Sequence, residues 1–579
     1  MEKTIIREES KPANQIARDQ LVEWQNEIQS NAYTKDHDYI HTIHFAFPND
    51  FERVHSAFEK FGDIVANQLE PLVNENNMAM NLPRLEEYNA MGERIDKIIH
   101  HPSYMKAGDI IYASKLLEKM ATAGGLTECL SLLFLSSHTG EAGHNCPIAC
   151  SAGMIRVLQK AADFPHKEMY LKKLISPSYQ TNYTGAQFLT EIQGGSDVGM
   201  NTVYAKRTKG KEWQIYGEKW FCSNAGADLI FLTARYDHHV SGTKGLGLFL
   251  VPAEWEGCKN HYTLRRLKEK MGTRSMATGE IDFCGAHAIE IGSLDEGFHL
   301  VMDNVLHLSR LFNAVCVLGM AHRAYAIAKA YAKHRVAFSH PIIQYPLVKE
   351  NLAKIKAENT AMIAAIFATT KMQDAFDKDK SKDHHSKLLL RLLVNLQKYF
   401  TARFSVEHIH HAIDVLAGNG MIETFSPLPR LLRDCIVCEN WEGTHNILRI
   451  QILKDILKYD IEKIYIAFMH DEIQRINKET PQSKLLLTEI KKFEKEMEKF
   501  RQLDNTQQML EIKNGVDKMV ILYSALMLLI EALDQIKSDH SYSKMNCFEY
   551  FYLLHLSNDN ITYDAAYINL TTKVINESN

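Results

Sequence analysis

The residues Asn440-Trp441-Glu442-Gly443-Thr444-His445-Asn446 place one carboxylate between an indole and a glycine. Glycine beside an acid lets a ligand come close to the backbone. Desolvation next to the indole favours the neutral carboxyl and raises its pKa, while a helix N-terminus just after it pulls the other way. That setting suits a general base working near neutral pH. The following Ile447-Leu448-Arg449-Ile450-Gln451-Ile452-Leu453 has the apolar spacing of a buried helix or strand, and Thr444 can cap a helix there. Taken alone, the same seven residues also describe a surface glutamate at a helix start.

Other chemistry-bearing patterns carry less. Cys435-x-x-Cys438 has metal or redox spacing, but without a second pair of ligands it reads as two buried thiols, with no metal. His408, His410 and His411 lie beside the apolar row Val406, Ile409, Ile413, Leu416 and read as a polar or interface face rather than a zinc site.

The chain has 579 residues, too many for one core, so two to four domains are expected. Its 45% hydrophobic and 24% charged residues match an ordinary globular composition. A net charge of -5 gives no global attraction to nucleic acid or acidic membranes. Ten cysteines without an apolar leader after Met1-Glu2-Lys3-Thr4 predict reduced thiols and a cytoplasmic location. The most apolar window, Met519 to Ile530, is too short to span a bilayer and predicts a core helix, with no stable membrane span.

The elements that must position the acid fall into blocks. Residues 1–38 are polar and predict an arm over the surface, or partial disorder. Residues 39–180 read as a helical domain: Phe51, Val54, Phe58 and Phe61 recur at helical steps, as do Leu85, Tyr88, Met91 and Ile95, with His100-His101-Pro102 ending the second helix. Gly140 to Pro147 reads as a loop or tight turn before another helix. Between 181 and 295 the texture changes to short β-branched and aromatic runs at 201–208, 213–217, 229–235, 246–251 and 279–283, a small β domain. No strand leads into a Gly-x-Gly-x-x-Gly turn, so the usual nicotinamide signature is missing. Long helices return at 296–457, the build of a bundle. Residues 458–579 form a further helical block, interrupted at Asn477-Lys478-Glu479-Thr480-Pro481 and at Ser538-Asp539-His540-Ser541.

Several motifs in this order resemble the acyl-CoA dehydrogenase family of flavoproteins over residues 80–457. They are Leu189-Thr190-Glu191-Ile192-Gln193-Gly194-Gly195-Ser196-Asp197, Gly217-Glu218-Lys219-Trp220-Phe221-Cys222-Ser223-Asn224, Lys270-Met271-Gly272-Thr273-Arg274, His334-Arg335-Val336-Ala337-Phe338, Gly418-Asn419-Gly420 and Trp441-Glu442-Gly443-Thr444. The length, the Cys146-Pro147 segment and the helical extension most resemble the branch around the adaptive-response protein AidB, some members of which bind DNA. The resemblance implies an α+β, mainly α fold: an N-terminal helical domain, a middle β-barrel domain and a C-terminal four-helix bundle, here with an extension.

It also implies a reaction. A carboxylate takes the α-proton of an acyl-CoA thioester while the β-hydrogen leaves as hydride to flavin N5, giving α,β-desaturation. The base maps to Glu442; the alternative family position holds Ser309, which cannot serve. Thr190 and Ser223 would bond the flavin ring, Gly195 and Ser196 would meet phosphate or the CoA chain, and Phe221 would stack on the ring where the family usually has tryptophan. Arg335, Phe338, Gly418 and Gly420 would meet FAD, Arg335 and the Gly418-Asn419-Gly420 bend across a subunit boundary, with Thr444 and Asn446 also at the cofactor. Arg310, Trp441 and Gly443 would face the substrate, with Arg310 near the CoA entrance or in a helix-surface ion pair. Asp414, Ala417, Ser339 and His340 depart from the family pattern at the subunit contacts. The implied partners are acyl-CoA, a second copy in a dimer or tetramer, and an electron-transfer flavoprotein or oxygen; DNA is the less favoured alternative.

Overall fold

A computed structural model describes residues 11–31, 33–379, 383–476, 479–557 and 560–576. The first ten residues of the polar N-terminal stretch, with 380–382 and Asn477-Lys478 of the charged interruptions, lie outside them. From Ala13 to Ile28 that N-terminal stretch is a helix laid along the bundle. One tryptophan anchors it: the Trp24 ring stacks on Phe425 at 4.8 Å and its N–H donates to the Ile327 carbonyl at 3.2 Å.

The periodic run at Leu85, Tyr88, Met91 and Ile95 is not a helix. It forms a β-hairpin of β1 (Arg84–Tyr88) and β2 (Arg94–Ile99). Turn chemistry outweighs the apparent period: the Asn89 side chain accepts from the N–H groups of Met91 and Glu93, and Gly92 takes φ +78°. Leu85 and Ile98 then pack on the barrel. Cys146 and Pro147 also differ from expectation, lying inside the helix Ala142–Lys160 rather than in a loop. Proline lacks the N–H that would bond the carbonyl four residues back, that of Gly143. The Tyr104 hydroxyl donates to that carbonyl instead, at 3.0 Å.

The middle domain comprises β3 (Gly185–Phe188), β4 (Tyr204–Lys209), β5 (Glu212–Ser223), β6 (Leu229–Arg235), β7 (Leu246–Pro252), a two-rung hairpin β8–β9 (Glu254–Trp255, Cys258–Lys259), β10 (Tyr262–Leu267) and β11 (Thr278–Glu290). The order β10-β11-β5-β4-β6-β3, with β7 joining β6 to β11, closes a barrel. β6 from Leu229 to Leu232 and β7 are apolar runs because both faces are covered. Leu229, Phe231, Leu248 and Leu250 pack into the helical core, whereas Ile230, Leu232, Phe249 and Val251 fill the barrel.

Three long helices follow, His307–His334, Pro346–Lys378 and His384–Leu416, and then the shorter pair Leu428–Asn440 and His445–Tyr459 that flanks Glu442. The extension adds Ile461–Gln474, Pro481–Phe500, Asn505–Ser538, Ser543–His555 and Ala565–Ile575. Among the described residues two segments are apolar and long enough to cross a membrane, Gly297–His334 and Asn505–Ser538, but 94% and 72% of their apolar windows are buried within the protein. They are core helices.

Candidate active site

Trp441, Glu442 and Gly443 form the bend between the helices Leu428–Asn440 and His445–Tyr459. Glu442 has φ +58° and Gly443 φ +106°. The left-handed region is costly for a residue with a Cβ and persists where surroundings dictate it. The bend turns the carboxyl towards a cavity that Gln187, Phe312, Met320 and Trp441 also line. Gln187 on β3 donates to Glu442 Oε1 at 2.9 Å and to the Ser309 hydroxyl at 3.3 Å. The carboxyl is thus held between barrel and bundle by one amide.

Burial raises the Glu442 pKa to about 7, against the pull of Arg310, Lys398 and the Gln187 hydrogen bond. The carboxyl is part-exposed towards the cavity yet crowded by protein on every side, so desolvation prevails. At neutral pH it therefore exists in both forms, the condition for taking a proton and returning it.

Arg310 is neither at an open entrance nor in a surface ion pair. It is buried, donating Nε–H to the Glu442 carbonyl at 3.0 Å and Nη1–H to Asn395 Oδ1 at 2.6 Å. Burial lowers its pKa to about 10. Sequence reasoning missed Gln187 and Lys398 altogether. Lys398 is fully buried, and its Nζ donates to the carbonyls of Glu439 (2.8 Å) and Gly443 (2.7 Å). Lys398 lies in a helix that also carries Arg391, Asn395, Gln397 and Arg403, so nothing local singled it out, although a buried lysine demands a partner.

The flavin-type residues fall in two groups. Thr190, Gly195, Ser196, Phe221 and Ser223 share the edge of the barrel that carries Gln187. The Trp220 N–H donates to the Thr190 carbonyl at 3.0 Å, and a Cβ on Gly195 would sit 2.4 Å from the Thr190 hydroxyl. Arg335, Phe338, Gly418 and Gly420 gather elsewhere: Asn419 donates to the Tyr331 hydroxyl at 3.1 Å, tying that bend to the end of the helix His307–His334. Arg310 and Arg335 are 25 positions apart along that helix, roughly 38 Å at 1.5 Å per residue. One chain does not bring the two groups together. Thr444 and Asn446 are exposed at the start of the last bundle helix; Thr444 stands at the cap position without a side-chain cap bond, and Asn446 accepts from Arg449 at 3.1 Å.

Cys435 and Cys438 are buried thiols. His408 is no surface residue: it is buried against Glu358 and Asn359, while His410 is exposed.

With this geometry in place, known families align with the chain between residues 25 and 457. The acyl-CoA dehydrogenase C-terminal domain matches residues 295–457, its middle domain 186–285, and the adaptive response protein AidB N-terminal domain 25–181. The chain belongs to the acyl-CoA dehydrogenase family, in its AidB-like branch. It is 29% identical over 439 residues to acyl-CoA dehydrogenase family member 11 of Caenorhabditis elegans, covering 73% of this chain and 70% of that protein. It is 29% identical over 392 residues to Escherichia coli AidB, covering 65% and 69%. The crystal structure of C. elegans ACDH-11 in complex with C11-CoA superposes with a TM-score of 0.84 at 24% identity, covering 93% of each chain, and shows the same fold.

FAD is the cofactor of this family, and the residues present in this chain fit it. Phe221 is 51% exposed, with the Lys268 ammonium 4.8 Å from its ring centroid, and Thr190 and Ser223 stand half-buried along the same edge. Gly194, at φ +119°, has nothing within 4 Å of where a side chain would project, leaving the loop open to a planar or anionic group.

Proposed function

We propose that the protein is an FAD-dependent acyl-CoA dehydrogenase in which Glu442 removes the α-proton of an acyl-CoA thioester. The observation that carries this reading is a single part-exposed carboxyl, near neutral pKa, facing a largely apolar cavity between barrel and bundle. Bound FAD supplies the acceptor for the β-hydride. Phe312, Met320 and Trp441 exclude water from the acyl chain, and Gln187 aims the base. The fixed bend leaves the backbone at Glu442 and Gly443 to face the thioester, where N–H donors stabilise developing negative charge.

Thr190, Ser223 and Phe221 would hold the ring, with Gly195 and Ser196 beside the phosphates or the CoA chain. Arg335, Phe338, Gly418 and Gly420 would complete the site from a second copy, because they lie far along the bundle from Glu442; a homo-oligomer belongs to this reading. So do a cytoplasmic location, consistent with ten free cysteines, and reoxidation by an electron-transfer flavoprotein or oxygen.

Anaerobic titration of the FAD-loaded protein with saturated acyl-CoAs of varied length tests the proposal. One chain-length class bleaches the flavin, and Glu442→Gln slows bleaching by about 10²–10⁴-fold while the protein stays yellow. If no acyl-CoA reduces the flavin and duplex DNA binds with steep salt dependence, the enzyme reading fails and the AidB-like binding role replaces it.

A further inference from the structure

We propose that Lys398 is a positioning residue for proton transfer: from inside the bundle it holds both ends of the Glu442 bend and, as a cation beside it, sets how tightly the carboxyl keeps its proton. The catalytic half of this proposal rests on the dehydrogenase reading; the electrostatic half does not.

The geometry is specific. Glu439 closes the last turn of one helix, where carbonyls lack intrahelical partners. Gly443 directly follows the base. One ammonium bonds both carbonyls, at 2.8 and 2.7 Å, so the bend between them is closed like a clasp. A compact ammonium with three N–H groups can serve two acceptors at once. Arg310 takes the intervening carbonyl of Glu442 from the other side. Three backbone carbonyls are thereby drawn into the bundle, and the Glu442 side chain is left facing the cavity. The left-handed φ of Glu442, unfavourable in isolation, is what these bonds enforce.

Both cations spend these hydrogen bonds on backbone oxygens and act on the carboxyl only through space. The groups around Glu442 are Arg310 from the helix His307–His334, backed by Arg391 and Asp455; Lys398 from His384–Leu416; Glu439 and Cys438 from Leu428–Asn440; His445, bonded to Glu439; Cys150 from Ala142–Lys160; and Gln187 from β3. Burial brings the Lys398 pKa down to about 8, so the ammonium is charged at neutral pH. Its loss removes one of the two cations opposing protonation of Glu442.

The test uses FAD-loaded Lys398→Met, Lys398→Gln and Lys398→Arg. The protonated-carboxyl infrared band that disappears in Glu442→Gln marks the base, and its pH midpoint is followed without acyl-CoA. Met and Gln raise the midpoint by about one pH unit, whereas Arg, keeping the charge, leaves it near that of the parent. Where the flavin is bleached by acyl-CoA, Met slows the limiting rate by about 10²-fold, as misplacement of a reacting group does, with half-saturation little changed; Gln, retaining an N–H for a carbonyl, recovers part of it. Should Lys398→Met fail to fold, Gln and Arg carry the same comparison. A midpoint that stays put in FAD-retaining Lys398→Gln overturns the proposal. A parent flavin that no acyl-CoA reduces overturns the dehydrogenase reading instead, and the midpoint still decides the role of Lys398.

Discussion

Two enclosed glutamates in this molecule are driven in opposite directions. Glu442 lies at the bend between barrel and bundle; Glu358 lies where the bundle meets the C-terminal extension. Burial pushes both carboxyls up. At Glu358 each oxygen meets a histidine nitrogen, His408 at 2.6 Å and His555 at 2.8 Å, and these bonds and charges outweigh burial and hold the pKa at about 2. At Glu442 the nearby cations give their N–H groups to the backbone and a single amide reaches the carboxyl, so it titrates near 7. Enclosure alone does not decide the charge state; the destination of the neighbouring N–H groups does. The site spends its donors on shape and leaves the acid reactive, while the joint spends them on the acid and gains a fixed contact.

The same substitution at the two positions sharpens the contrast. Glu358→Gln should destabilise the protein by about 3–5 kcal/mol at pH 7, the usual result of breaking a buried ionic contact, measured by denaturant unfolding. Because its pKa falls on folding from 4.5 to about 2, the Glu358 contribution is present above pH 4.5 and lost as pH falls towards 2. Glu442→Gln should do the reverse and stabilise by about 1–3 kcal/mol at pH 8. Its pKa rises on folding from 4.5 to about 7, so its cost grows across that interval and vanishes below 4.5. Equal signs at the two positions would break the comparison. The smallest effect is kinetic: flavin bleaching by a saturated acyl-CoA should rise about tenfold per pH unit below 7 and level off above it, following the deprotonated base. A flat profile from pH 5 to 8 would place proton transfer on another group.

The family and the bend that carries Glu442 were readable in the sequence, because Trp441 to Thr444 and Thr190 to Ser196 are short contiguous motifs that gain meaning from their order along the chain. Gln187 and Lys398 were not. Gln187 meets Glu442 across 255 residues, and Lys398 meets Gly443 from within a helix that carries several other polar residues, Arg391 and Asn395 among them; neither carries a local pattern. The 85–95 stretch misled because four apolar residues can fall at helical spacing by chance, while Asn89 and Gly92 set the turn between strands. His408 read as a polar face because its partners, Glu358 and Asn359, lie on another helix, Pro346–Lys378. The helix Ala13–Ile28 shows how one tryptophan can dock a segment whose average composition is polar.

The dual facing of β6 and β7 has a consequence for access to the cavity. The strands belong at once to the barrel interior and to the helical core, so swinging the barrel away would wet Leu229, Phe231, Leu248, Leu250 and Ile289 together. At 1.5–3 kcal/mol per large apolar side chain, that opening costs on the order of 10 kcal/mol. That cost disfavours separation of barrel and bundle as the route by which a ligand would reach Glu442.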